Sequence, residues 1–72
     1  MQNSQTTQRA IRLPELKNQT GLSRSTIYDK LNPKSPRYDS TFPLPKKLGS
    51  RAIGWIEAEV QAWIESRRVI GA

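Results

Sequence analysis

Residues 21–31, Gly21-Leu22-Ser23-Arg24-Ser25-Thr26-Ile27-Tyr28-Asp29-Lys30-Leu31, decide how the chain is read. Ser23 has the chemistry of an N-cap, because its hydroxyl can accept a backbone N–H that the first helical turn leaves unpaired. With Ser23 there, Leu22 falls just before the cap and Ile27 at the fourth helical position. Those are the two places of a hydrophobic staple, which fixes how the chain enters the helix. Gly21 can take the left-handed conformation that ends a preceding helix and permits a three-residue turn. Ile27 and Leu31, one helical turn apart, face inward. Arg24, Ser25, Tyr28 and Asp29 are left on the outer side. The stretch therefore reads as the turn and second helix of a helix-turn-helix. Its basic, hydroxyl-rich first turns have the chemistry that reading base edges in a major groove requires.

The rest of the chain supports that helix. Before it, Pro14 to Thr20 reads as a first helix: proline is tolerated at a helix start, and Glu15 suits the positive end of the dipole. Leu13 and Leu16 point inward, and so short a helix needs packing against the second. After it, residues 32–41 (NPKSPRYDST) break all periodicity and form a loop. Lys34, Arg37 and Tyr38 give this loop chemistry compatible with DNA, although the reading favoured is a solvated connector.

Phe42 to Trp55 reads as a β-hairpin. Leu48-Gly49-Ser50-Arg51 fits a two-residue type II′ loop with glycine first. That register pairs Leu48 with Arg51, Lys46 with Ile53 and Leu44 with Trp55. It turns Leu44, Ile53 and Trp55 inward and puts Lys47, Ser50 and Arg51 at an exposed basic tip. Pro43 and Pro45 confine the first strand to a sheet edge. A basic ribbon just after a recognition helix is a wing, placed to meet phosphates or the minor groove. Ile56 to Arg68 is the third helix, with Val60, Trp63, Ile64 and Arg67 at helical spacing and no good N-cap residue. The fold class expected is α+β: three short helices with a two-stranded hairpin wing, a winged helix-turn-helix. The domain spans 11–68, between a disordered leader at 1–10 and a frayed tail at 69–72.

Totals bound the function. Seventy-two residues without an internal repeat make one domain, and a chain of this size buries only about 60% of its unfolded surface. It has no Cys and no His, which removes disulfides, a zinc site and Cys or His catalysis together. The few carboxylates form no recognisable acid/base pair, so the chain reads as a non-enzyme without cofactor or metal. No apolar run approaches the roughly 20 residues of a membrane span, and the polar N-terminus is unlike a signal peptide. A soluble, intracellular protein is expected. The net charge is +6 and the pI about 10.4. Ten of the twelve Lys and Arg fall within residues 9–51 against Glu15, Asp29 and Asp39, a balance of +7, whereas residues 52–72 carry −1. A charge serving solubility alone need not be confined to one part of the chain. The asymmetry points to a polyanion.

Four segments in order carry a resemblance: Arg12-Leu13-Pro14-Glu15-Leu16, then Thr20 to Tyr28, then Phe42-Pro43 with Lys47 to Trp55, then Glu59-Val60 with Trp63-Ile64. Together they resemble the AlpA family, small regulators of prophages and mobile elements with a MerR-like winged helix-turn-helix. The resemblance covers about residues 11–66. Lys46 departs from it, standing where an apolar residue is common. It implies sequence-specific binding of double-stranded DNA to regulate transcription, usually of integrase or excision genes. A related role is that of an excisionase bending an attachment site. It implies that Ser23 to Tyr28 enter the major groove and that Lys47 to Arg51 form the wing.

The candidate DNA-binding residues are thus Ser23, Arg24, Ser25 and Tyr28 on the recognition helix and Lys47, Ser50 and Arg51 on the wing. Arg24 is the candidate for a bidentate guanine or phosphate contact, and Lys47 and Arg51 for backbone contacts. Thr26 is expected to bond back to the helix start. Trp55 and Trp63 are read as core and not as base-stacking platforms. Lys17 and Lys30 could meet phosphates but fit a solvated face. The partners expected are duplex DNA and, on it, a second copy or a recombinase. A protein-interaction module is the reading from another class.

Overall fold

The computed structural model describes residues 8–67 and residue 70. Its elements run β1 (Ala10–Ile11), α1 (Leu13–Thr20), α2 (Arg24–Leu31), β2 (Lys46–Lys47), β3 (Ile53–Ile56) and α3 (Glu57–Glu65). This is the expected α+β winged helix-turn-helix, with a third strand added. Leu16, Ile27, Trp55, Val60 and Trp63 come from four elements and share one buried cluster with Ile11 and Phe42. Leu13, Leu22, Leu31 and Ile64 pack around it.

The turn between the first two helices forms as its residues dictate. Gly21 has φ +71, and its N–H bonds the Lys17 carbonyl at 2.8 Å. Ser23 caps α2, its hydroxyl accepting from the Thr26 N–H at 3.2 Å. Leu22 lies against the cluster that holds Ile27, as the staple requires.

Three features differ from the sequence reading. First, Ala10–Ile11 is a strand, antiparallel to β3, with Ile11 opposite Trp55. The sheet order is β1-β3-β2, so β3 is central. The wing is therefore anchored on its inner side, and Arg9 and Ala10 belong to the folded domain instead of the leader. Residues 1–7 of that leader, like Arg68, Val69, Gly71 and Ala72 at the other end, lie outside the described residues.

Second, the hairpin is offset by one residue. Lys46 pairs with Gly54, Lys47 with Ile53, and the Leu48 N–H bonds the Ala52 carbonyl at 2.8 Å. Gly49, Ser50 and Arg51 all lie in the loop. A type II′ turn needs a positive φ at its glycine, and among the described residues only Gly21 has one. The slip changes what each residue faces. Trp55 stays fully buried, but Leu44 is 64% and Ile53 38% exposed. Phe42 and Pro43 are buried in their place.

Third, α3 ends at Glu65 instead of Arg68. Its weak N-cap is remedied from outside the helix: Ile56 makes no side-chain cap bond, and the Glu57 N–H is taken by the Arg9 carbonyl at 2.8 Å. At the far end Arg67 turns back, its Nε bonding the Trp63 carbonyl at 3.2 Å and its guanidinium lying 4.5 Å from the Trp63 ring centre.

Candidate nucleic-acid interface

On α2 the candidate side chains differ in how engaged they already are. The Ser23 hydroxyl accepts from Thr26 N–H and donates to Thr26 Oγ1 at 2.9 Å, so it is occupied as a cap. Thr26 bonds back to the helix start, as expected. Ser25 is exposed, its hydroxyl 3.3 Å from that of Ser23. Arg24 is exposed, and its guanidinium lies 5.4 Å from the centre of the Tyr28 ring one turn on. That cation–π contact restricts the arginine while leaving its donors open. Tyr28 itself is 39% exposed.

On the wing Lys47, Ser50 and Arg51 are all exposed, Lys47 on β2 and the other two in the loop. The corrected register keeps Ser50 and Arg51 at the tip. The departure at Lys46 is accommodated on the surface, where its ammonium lies 4.0 Å from Glu59.

Three carboxylates are tied to arginines. Asp29 pairs with Arg37 at 3.5 Å, Asp39 with Arg67 at 3.4 Å and Glu57 with Arg9 at 2.9 Å. Arg24, Lys34, Lys47 and Arg51 have no ion pair among the described residues. Arg12, Lys17 and Lys30 have none either, so unopposed positive charge sits on the recognition helix, the following loop and the wing, and also on α1.

Two polar groups that fix this surface escape the sequence reading. Gln19 donates to Glu15 at 3.0 Å and to Glu57 at 2.7 Å, and accepts from Gln61 at 2.8 Å. It ties α1 to α3. The Gln19 amide, opposed by burial and helped by the Arg9 guanidinium, holds the Glu57 carboxyl below its ordinary range. The other is Asp39, which accepts from the Thr41 hydroxyl and N–H, from the Trp63 indole at 3.2 Å and from Arg67. Asp two residues before Thr is a turn signal that could have marked it.

Asp39 gives a pH prediction. The Thr41 hydroxyl lowers its pKa most, helped by the Thr41 N–H, Trp63 and Arg67 and opposed by burial. The folded state thus favours the carboxylate. Its stabilisation is complete above the unfolded value of 3.8 and is lost as pH falls through the lower folded value. Urea midpoints of the parent chain should decline through this window. Those of Asp39→Asn should start lower and decline less, the two curves converging in acid.

A capped second helix, a left-handed glycine turn and a hairpin against a third helix define the class: a winged helix-turn-helix. The family described as Prophage CP4-57 regulatory protein (AlpA) matches residues 9–68, and the chain belongs to it. It is 52% identical over 65 residues to the Escherichia coli DNA-binding transcriptional activator AlpA, covering 90% of this chain and 93% of that one. It is also 37% identical over 62 residues to an uncharacterized protein of Enterobacteria phage P4, covering 86% of this chain and 64% of the relative. No solved structure matches the chain. Among the described residues no helix is long and apolar enough to cross a membrane.

Proposed function

We propose that the chain is a sequence-specific binder of double-stranded DNA that regulates transcription in a phage or mobile element and performs no catalysis. The observation that carries this is the segregation of charge. Four of the six acids are held in ion pairs, while Arg24 on α2 and Lys47 and Arg51 on the wing have none among the described residues and stand on elements shaped to follow a groove. Arg24, Ser25 and Tyr28 meet the major groove, with Ser23 setting the helix start. Lys47, Ser50 and Arg51 meet the backbone beside it. The relative named as a DNA-binding transcriptional activator supports the same reading. On DNA the partners we propose are a second copy or a recombinase.

Selection of bound fragments from random duplexes, followed by titration, tests this. Arg24→Ala should cost about 1–3 kcal/mol on the selected site and relax preference at one base pair. Arg51→Ala should weaken binding to all sequences alike and make the slope of log K against log salt shallower by about 0.9. Unchanged preference and slope would remove these residues from the interface. Footprints upstream of a promoter fit the regulator, and tandem footprints beside an attachment core fit an architectural excisionase instead. A protein-interaction module would keep its principal activity in both variants.

A further inference from the structure

The connection between α2 and β2 is a chain of locked turns. The Lys34 N–H bonds Asn32 Oδ1 at 3.0 Å and the Ser35 N–H the Asn32 carbonyl at 2.9 Å. The Arg37 N–H then bonds Ser35 Oγ at 3.1 Å and the Tyr38 N–H the Ser35 carbonyl at 3.0 Å. The Asp39 N–H returns to the Lys30 carbonyl at 3.0 Å, closing the segment onto the end of α2. Pro33 and Pro36 fix φ at two further positions. Most of its backbone is thus committed before any ligand arrives.

This rigid segment carries cations to a defined place. Arg37 Nη1 lies 3.5 Å from Asp29 Oδ2. Asp29 is one turn beyond Ser25 and, at 3.6 residues per turn, on the side of α2 opposite the fully buried Ile27. The Arg37 guanidinium is therefore brought from outside the helix to the stripe that also holds Ser25. Lys34 is exposed and has no ion pair among the described residues, and Tyr38 is 46% exposed. From Lys30 to Tyr38 the sequence contains no acid. A bare carboxylate on a groove-facing stripe would repel phosphates, and Arg37 stands where it cancels that repulsion.

We infer that residues 33–38 form a second clamp on the duplex backbone, in which Lys34 and Arg37 meet phosphates flanking the groove entered by α2 while Arg37 masks Asp29. This rests on the DNA-binding reading above. It extends the contact surface to a segment between helix and wing.

The test uses the full chain and a short random-sequence duplex, since phosphate contacts need no particular bases, with anisotropy titrations over a range of salt. Lys34→Ala should make the salt slope shallower by about 0.9. Arg37→Ala should do the same and lose further affinity, because Asp29 is then unmasked. Adding Asp29→Asn to Arg37→Ala should recover part of that affinity, which a purely structural ion pair would not do. Lys34 makes no ion pair among the described residues, and circular dichroism checks that both variants fold. The proposal is overturned if the parent binds with a slope that Arg51→Ala reduces while the Lys34 and Arg37 variants keep the parent slope. It is also overturned if Asp29→Asn restores nothing. Salt-insensitive binding by the parent itself would instead sink the DNA reading, and the clamp with it.

Discussion

Trp63→Ala is expected to remove about 3–5 kcal/mol of stability, the range for deleting a large buried aromatic. Small domains hold a total near the lower part of about 5–15 kcal/mol, so most of the folded margin goes with this one side chain. Several elements depend on the ring. Phe42 meets it edge-on, with ring centres 4.9 Å apart and planes at 78°. Its indole N–H reaches Asp39, which organises the loop. Lys30 and Arg67 both lie within cation–π distance of it. Urea unfolding followed by far-ultraviolet circular dichroism measures the loss, and Trp63→Phe should lose much less. A midpoint near that of the parent for Trp63→Ala would refute its place as the hub between α3 and the loop.

Gly54→Ala is expected to cost about 1–3 kcal/mol, although it adds a single methyl group. A Cβ at Gly54 would lie 2.7 Å from Leu48 Cδ1 and 2.9 Å from the Ile11 carbonyl oxygen. The leucine can swing aside, being 45% exposed. The carbonyl cannot, because β1 is held by its pairing with β3. Relief requires β1 to move, and with it the Arg9 carbonyl that caps α3. Each kcal/mol should lower the melting temperature by about 4–8 °C in a domain of this size. Protection of the Glu57 amide against hydrogen exchange should fall along with it. Full protection at Glu57 in a stable Gly54→Ala protein would show that the sheet absorbs the methyl group elsewhere.

The second helix was legible because its determinants are local. Gly21, Leu22, Ser23 and Ile27 act within seven residues, and each has one role that its side chain can fill. The hairpin tip was legible for charge but not for pairing. Leu48 to Arg51 fits a two-residue loop on its own, and the tie is broken by Gly54, the residue over which Leu48 can lie only because it has no side chain. Strand β1 is two residues long, with no alternation to detect, and exists because β3 offers it an edge. Asp39 and Gln19 act across 24 to 42 residues of sequence. No local pattern announces such partners. For the interface, the unpaired state of Arg24, Lys47 and Arg51 is visible only once the acids have found other cations.

The Glu57-to-Arg9 hydrogen bond also bears on how the domain comes into being. During synthesis the strand that starts the final helix must wait for that helix to be made. The sheet can close only when most of the domain has emerged, so contacts of high sequence separation complete the fold. A chain that ends before residue 57 would contain all three strands but not the helix that packs on them.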